Sequence, residues 1–409
     1  MKTNVIIASA ALLLSLTSCD WFKAEKKATD IVLNEKSALL VENNNLFGYN
    51  LFEKVLSTED ANKNLMISPL SVSQALSMAL NGADGSTYEQ MKSMLGYEGL
   101  STTDINESNQ TIVNGLESHD SKVKMQIANS VWYRKDFAPK TDFISNNKTF
   151  YNAVVNSYDP QKPDAAKEMM NKWVDSKTNG KIDQIIDEVT SDHVMFLINA
   201  VYFKGEWKSQ FKKSQTKKVE FTLDNGTKIN TETMIGDVNL SYYNEEKYSV
   251  IKLPYGQGKF NMVIFLPEEG YTTNDIAPLI SKTNFETLES STETERKIYF
   301  PKFEFSYKNV LNDELAGLGM TDAFNSDLAN FKNITDAGIF ISKVNHKSYI
   351  KTDEEGSEAA AATSVEFAFT SIGPAGTIRI DRSFLFAIVE EDTNSILFIG
   401  KVYNPSVSE

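Results

Sequence analysis

The stretch EEGSEAAAATS, residues 354–364, is out of keeping with its surroundings. Four consecutive alanines, Ala359, Ala360, Ala361 and Ala362, lie between segments that otherwise read as strands. Alanine is the strongest helix former, yet this run has no apolar stripe with which a helix could dock, and VEFAFT directly after it is rich in β-favouring residues. Taken with a period of two, one face carries Ser357, Ala359, Ala361, Thr363, Val365 and Phe367 without a charge. The other carries Glu358, Ala360, Ala362, Ser364 and Glu366. Such a segment can enter a sheet with a defined inside. Its small leading residues slide between strands at no steric cost, Gly356 supplies a hinge, and no proline interrupts 344–373. A surface Ala-rich helix or loop is the alternative on this segment alone, so the rest of the chain has to decide.

The chain has 409 residues, 41% of them hydrophobic, which is enough to bury a large core. A formal net charge of −14 argues against nucleic acid or an anionic membrane surface as a partner, because phosphate binding needs clustered Lys and Arg. At the N-terminus, Lys2, an apolar run over 5–16 and LTSC at 16–19 read as an export signal with a processing site. The apolar run is too short for a transmembrane span of about 20 residues. LTSC resembles the bacterial lipobox, in which cleavage before the cysteine leaves that residue lipidated. Residues 1–18 are then a lipoprotein signal peptide and Cys19 a lipid anchor to the bilayer. An ordinary signal peptide with a chance cysteine is the alternative. Cys19 is the one cysteine in the sequence, which excludes an internal disulfide framework and a cysteine nucleophile in the body. Residues 19–45, rich in Lys, Glu and Asn with a short apolar patch at Leu39, Leu40 and Val41, read as a tether.

From 46 to 409 the sequence reads as one α+β domain. A helical face runs through 46–56. The next helix has Ser68 as N-cap, Pro69 at its first position, Val72, Leu76, Ala79 and Leu80 on one stripe, and Gly82 past its end. Ser86 and Glu89 have the spacing of a capping box for a third helix ending near Gly96. Val123, Met125 and Ile127 alternate as in a half-buried strand, 167–179 reads as helix, and VMFLINAVYF (194–203) as a strand covered on both faces. Segments 248–267 and 384–402 read as hairpins. Core strands at the extreme C-terminus imply non-local pairing, slow folding and the opportunity for kinetic traps.

Signatures of catalysis are missing. The chain has no G-x-S-x-G elbow, H-E-x-x-H, P-loop or Rossmann glycine pattern. The three histidines, His119, His193 and His346, have no neighbour at metal-ligand spacing, so neither a metal nor a cofactor is expected. A hydrolase triad around one of them would need distant partners.

Five segments in order now identify a resemblance. ISPLSVSQALSMALNGADGSTYEQM (67–91), LINAVYFKGEWKSQF (197–211), FPKFEFS (300–306), SKVNHKSYIKTDEEGSEAAAAT (342–363) and FLFAIVEEDTNSILFIGKVYNP (384–405) resemble the serpins, from about residue 42 to the end. The resemblance implies the serpin fold, roughly nine helices around three β-sheets with an exposed reactive-centre loop over about 354–380, and a monomer. It also implies a protease inhibitor rather than an enzyme. A serine or cysteine endopeptidase attacks the loop and forms an acyl-enzyme. The cut loop then inserts into the main sheet and distorts the protease, the loop-insertion switch known for this family. A dozen newly paired residues at about 1 kcal/mol each, with buried Val and Phe at about 1.5–3 kcal/mol each, give on the order of 15 kcal/mol. That is enough to deform a protease of ordinary stability, and it requires the uninserted state to be protected kinetically.

Residue roles follow from the same resemblance. Glu354, Glu355, Gly356, Ser357, Glu358, the four alanines and Thr363 match the hinge of inhibitory members. Ser68, Ser71, Asn199 and His346 match the shutter beneath the main sheet, and Trp207 the breach at its top. Counting from the hinge sets the reactive bond at Thr370–Ser371. The segment 371–384 is about two residues longer than in familiar members, which keeps Phe369 as an alternative. No Lys or Arg lies between Lys351 and Arg379, so trypsin-like enzymes are poor targets. Elastase-, subtilisin-, chymotrypsin- and papain-like enzymes are the expected partners. A non-inhibitory surface lipoprotein of the same fold is the competing reading. Outer-membrane or cell-surface display suits an inhibitor of secreted proteases, although Asp20 after Cys19 resembles an inner-membrane retention signal.

Overall fold

The computed structural model describes residues 27–281, 292–357 and 376–407. Its larger sheet has nine strands and grows from the hairpins that the sequence marks as core. Strands β7 (Tyr248–Tyr255), β8 (Phe260–Pro267), β14 (Phe384–Glu390) and β15 (Ile396–Val402) are buried at every position. Their continuous apolar character reflects cover on both faces. β1 (Leu65–Ile67) closes one edge on β15, and the 17-residue β6 (Lys228–Asn244) leaves β7 to pair with β9 (Thr294–Pro301) and β5 (Lys217–Thr222). β13 (Thr377–Arg379) adds in parallel to β9. Two of the three expected sheets are thus one hydrogen-bonded array, because β6 is long enough to belong to both.

The second sheet has six strands, in the order β10 (Phe303–Val310), β11 (Asn345–Thr352), β12 (Gly356–Ser357), β4 (Met195–Glu206), β2 (Val123–Arg134) and β3 (Val154–Tyr158). Beneath it runs α2 (Pro69–Leu80), capped as the sequence requires: the Ser68 hydroxyl accepts the Ser71 amide and Pro69 opens the helix. Eleven of its twelve residues are buried, which makes α2 a core helix rather than an amphipathic surface one. Also present are α3 (Gly85–Met94), α4 (Thr102–Ser118), α5 (Thr141–Tyr151), α6 (Pro163–Lys177), α7 (Thr273–Ile280) and α8 (Asn312–Gly317). With α1 and α2 the described residues hold eight α-helices.

Two local expectations change. The tether does not reach Asn45, because α1 spans Glu35–Thr58, with the Asn34 side chain accepting the Ser37 amide as N-cap. Polar residues on its first turns are used inside the protein: Ser37 bonds Ser108, and Asn44 accepts the buried Tyr97 hydroxyl at 2.5 Å. The capping box at Ser86 and Glu89 does not form. α3 starts two residues earlier, at Gly85 with φ +54° after Asp84 in the cap position, and the Ser86 hydroxyl donates to Asp322 instead.

Close packing at the second hairpin gives a direct test. A Cβ on Gly400 would lie 2.6 Å from the Leu65 carbonyl oxygen and 2.7 Å from the Phe386 ring. Gly400→Ala is therefore expected to destabilise the fold by about 1–3 kcal/mol, the cost of overpacking a filled core, read as a lowered urea midpoint with an unchanged slope.

Candidate functional site

The site is a gap in the six-stranded sheet. β12 runs antiparallel to both β11 and β4, so those two strands are parallel to each other. Only Thr352 pairs with Ser357 on one side, and only Glu206 and Gly205 pair with Gly356 and Ser357 on the other. Among the described residues no β-bridge joins β4 to β11 below this wedge. A cavity of about 10 Å³, room for at most one water, lies under it, lined by Phe203 of β4, Ile350 of β11, Ser357 and Met66 among others.

Gly356 has φ +155°, and a Cβ there would sit 2.0 Å from the Gly205 carbonyl oxygen. Glycine is required because the wedge lies directly against the β4 backbone. A turn precedes it: the Asp353 amide donates to the Gly356 carbonyl at 2.9 Å and the Glu355 amide to Asp353 Oδ1 at 3.0 Å.

Aromatic and charged contacts clasp this turn from above. Trp207, immediately after β4, stacks on Tyr255 with ring centres 4.4 Å apart, and its indole N–H donates to the Asp353 carbonyl at 2.8 Å. The Tyr255 hydroxyl meets Ser357 Oγ at 2.7 Å, so one aromatic pair touches both ends of the turn. The Trp207 and Phe211 amides donate to the Glu355 and Glu354 carbonyls. Glu354 is only 3% exposed. Lys302 Nζ stands 2.9 Å from its Oε2, and the Thr216 hydroxyl donates to Oε1 at 2.7 Å. Burial by itself raises a carboxyl pKa, but the Thr216 and Lys302 hydrogen bonds outweigh it and hold Glu354 below its ordinary range. Lys213 pairs with Glu355 at 2.5 Å on the exposed side.

Lower down, Ser68 joins three elements. Its amide donates to His346 Nε2 at 3.3 Å and its hydroxyl to the Leu397 carbonyl at 2.7 Å, while that same oxygen caps α2. His346 is on β11 and 4% exposed, and burial pushes its pKa down to about 4, against a smaller opposing pull from Met66. The ring is neutral at pH 7 and accepts a hydrogen bond through Nε2. Asn199 lies on β4, across the gap, with its amide donating to Asn129 Oδ1 on β2 at 2.7 Å. Ser68, Ser71 and His346 therefore form one cluster, whereas Asn199 is tied to the neighbouring strand.

Of the hinge residues, Glu354, Glu355, Gly356 and Ser357 are described; Glu358 to Thr363 and the proposed reactive bond at Phe369, Thr370 and Ser371 lie outside the described residues, as does Cys19. Sequence reasoning missed Tyr255, Thr216 and Asn129. Lys302 was present in the FPKFEFS motif without a role, and its contact with Glu354, 52 residues away, supplies one.

Comparison with known proteins agrees with this geometry. The family described as Serpin (serine protease inhibitor) matches residues 42–405. An uncharacterized serpin-like protein of Methanosarcina acetivorans is 32% identical, over 88% of this chain and 87% of its own. The native-state crystal structure of tengpin, a thermophilic serpin, gives a TM-score of 0.81 at 34% identity, covering 92% of this chain and 96% of that one. Human thyroxine-binding globulin gives 0.82 at 29% identity, covering 91% and 100%. The chain belongs to the serpin family, whose members are generally protease inhibitors rather than enzymes.

The buried ionisable groups set a pH dependence with a definite sign. A histidine whose folded pKa is about 4, against 6.5 in the open chain, takes up its proton only on opening, so stability is lost as pH falls from about 6.5 to 4. The linked free energy is on the order of 3 kcal/mol. Glu354, held below its ordinary range, acts in the same direction below that range. Melting temperature is expected to drop over this window in the native protein. His346→Gln, whose side-chain oxygen can still accept the Ser68 amide, should flatten the upper part of the drop.

Proposed function

We propose that this protein is an irreversible suicide-substrate inhibitor of endopeptidases that prefer small or apolar residues: serine proteases of elastase, subtilisin or chymotrypsin type, and papain-like cysteine proteases. Cleavage near Thr370–Ser371, with Phe369 as the alternative, would leave the protease as an acyl-enzyme that loop insertion traps. One observation carries the reading: two parallel strands stand apart with a two-residue wedge of the opposite direction already between them.

The register of that wedge supports it quantitatively. Continued downward, the pairing of Gly356 with Glu206 and Ser357 with Gly205 would bring Thr363 opposite Asn199, and the pairing of Thr352 with Ser357 would bring the same Thr363 opposite His346. The uncharged face starting at Ser357 would then point inward throughout. β4 extends to Met195, opposite residue 367 in this register. The proposed reactive bond follows within a few residues, where the strand pairing would end.

The deciding experiment mixes the purified protein separately with elastase, subtilisin, papain and trypsin, followed by denaturing gels and sequencing of the released C-terminal peptide. A detergent-stable adduct with one of the first three, and none with trypsin, is the expected outcome. Ala361→Arg, which would force a cation onto the inserting face opposite Val201 and Ser348, should turn inhibition into plain cleavage. Inhibition of trypsin alone at equal stoichiometry would refute the assignment. Cleavage without an adduct, and without a marked rise in thermal stability, would favour the binding-module reading instead.

We further propose that Cys19 is lipidated and that the body is displayed on the outer membrane or cell surface. Among the described residues no helix is long and apolar enough to cross a membrane. Attachment would then rest on the acyl chains. Cys19→Ser is expected to move the protein from the membrane fraction to the soluble fraction, measured by fractionation of the expressing cells.

A further inference from the structure

His119 ends α4 as its C-cap and is 2% exposed, yet the inhibitory mechanism gives it no task. Its Nε2 stands 2.9 Å from Glu390 Oε1 and 3.5 Å from Asp392 Oδ2, two residues of the β14–β15 turn. Neither ring nitrogen has a hydrogen-bond partner of acceptable direction, so the short approach to Glu390 lies off the ring N–H axis. Packing explains how the ring is held, since Phe260 meets it edge-on at 5.6 Å. It leaves unexplained a buried imidazole aimed into two carboxylates without bonding to either.

From this geometry we infer a binding site for a divalent transition cation of the zinc class, made by His119 Nε2, Glu390 Oε1 and Asp392 Oδ2. Zinc–nitrogen and zinc–oxygen bonds of about 2.0–2.2 Å place two donors about 2.9–3.4 Å apart when they share one ion at angles between 90° and tetrahedral. The separation from Glu390 falls within that spacing and the one from Asp392 just beyond it, and the three residues can each offer a donor atom within 4.8 Å of the others. An ion on the ring lone pair would also account for the off-axis carboxylate.

Each donor keeps capacity for the ion. Glu390 Oε1 accepts the Asp392 amide at 2.7 Å and Oε2 accepts the Thr393 amide and hydroxyl, which fixes the carboxylate and leaves a lone pair of Oε1 facing the ring. Asp392 Oδ2 accepts the Ile31 amide, at 2.8 Å. Lys259 bonds the other Asp392 oxygen and also Asp30, so it neutralises one of three carboxylates and leaves two negative charges for a dication to balance. Asp392 is 16% exposed at its side chain, which gives the ion a path and leaves a fourth position for water. One imidazole with two carboxylates favours zinc, cobalt or nickel over magnesium and calcium, which prefer oxygen-only sets.

Bound there, the ion would fasten three distant parts of the chain: the end of α4 through His119, the β14–β15 turn, and the segment before α1, whose Thr29 amide donates to the His119 carbonyl. Metal-stripped protein should take up one equivalent of Zn²⁺ in competition with a chromophoric chelator, show visible Co²⁺ absorption bands, and melt at higher temperature with Zn²⁺ than without. Mg²⁺ and Ca²⁺ should reproduce none of this. Asp392→Asn, which keeps the size of the side chain and an oxygen for the Ile31 amide, should weaken Zn²⁺ binding by about tenfold or more. His119→Ala should abolish it, and His193→Ala should leave it unchanged. Absence of stoichiometric binding, or binding that survives both His119→Ala and Asp392→Asn, would overturn the proposal and leave His119 as a buried ring held by its packing on Phe260.

Discussion

Gly356 presses directly on the backbone of β4, and the six-stranded sheet depends on this contact for its form. Below Ser357, among the described residues, the strands β4 and β11 each keep ladder bonds only on their outer side, to β2 and to β10. On the proposed reading such a sheet would have more pairing capacity than it uses, and its persistence would rest on a barrier rather than on a minimum. The contacts that would make up that barrier are the stacked Trp207 and Tyr255, the buried Glu354 with Lys302, and the Ser68–His346 link beneath.

The same contacts give ionisable groups buried at this turn a use, as fasteners of a joint that would move on the proposed mechanism. Replacing Glu354 and Lys302 by apolar residues would bury area without direction. A charged pair with an added hydroxyl fixes the turn in one place and becomes costly as soon as one partner leaves. His346 works differently, since it is neutral and bonds through a lone pair, and protonation removes the acceptor on which the Ser68 amide depends.

Much of the fold was legible because local signals agreed with the final packing. Ser68 and Pro69 start α2 as written, and the apolar hairpins became strands buried at every position, whereas β4, expected to be covered on both faces, is only half-buried at Met195, Phe196, Leu197 and Phe203. α1 was misjudged over its first turns because Ser37 and Asn44 are polar, and their burial depends on Ser108 and Tyr97, which nothing local predicts. Ser86 had the spacing of a cap and was taken by Asp322, 236 residues away. The hinge was legible as a pattern of small residues, whereas its clasp was not: Thr216 and Tyr255 meet it across 138 and 102 residues. Pairwise contacts of that range leave no period in a single sequence. The same limit hid the approach of His119 to Glu390 and Asp392.

The turn at 353–356 also changes the kinetics of strand addition. β11 and β12 form a hairpin whose first pair, Thr352 with Ser357, is already closed. Bringing a free segment to a distant slot would cost loop-closure entropy before any bond formed, whereas an insertion of the proposed kind would start from a pair that is already made. It would then need only propagation, one residue at a time, with the register fixed from the start. Its speed would be governed by how readily each successive side chain cleared the slot, and four alanines in sequence would give the zipper its smallest teeth where it first had to move.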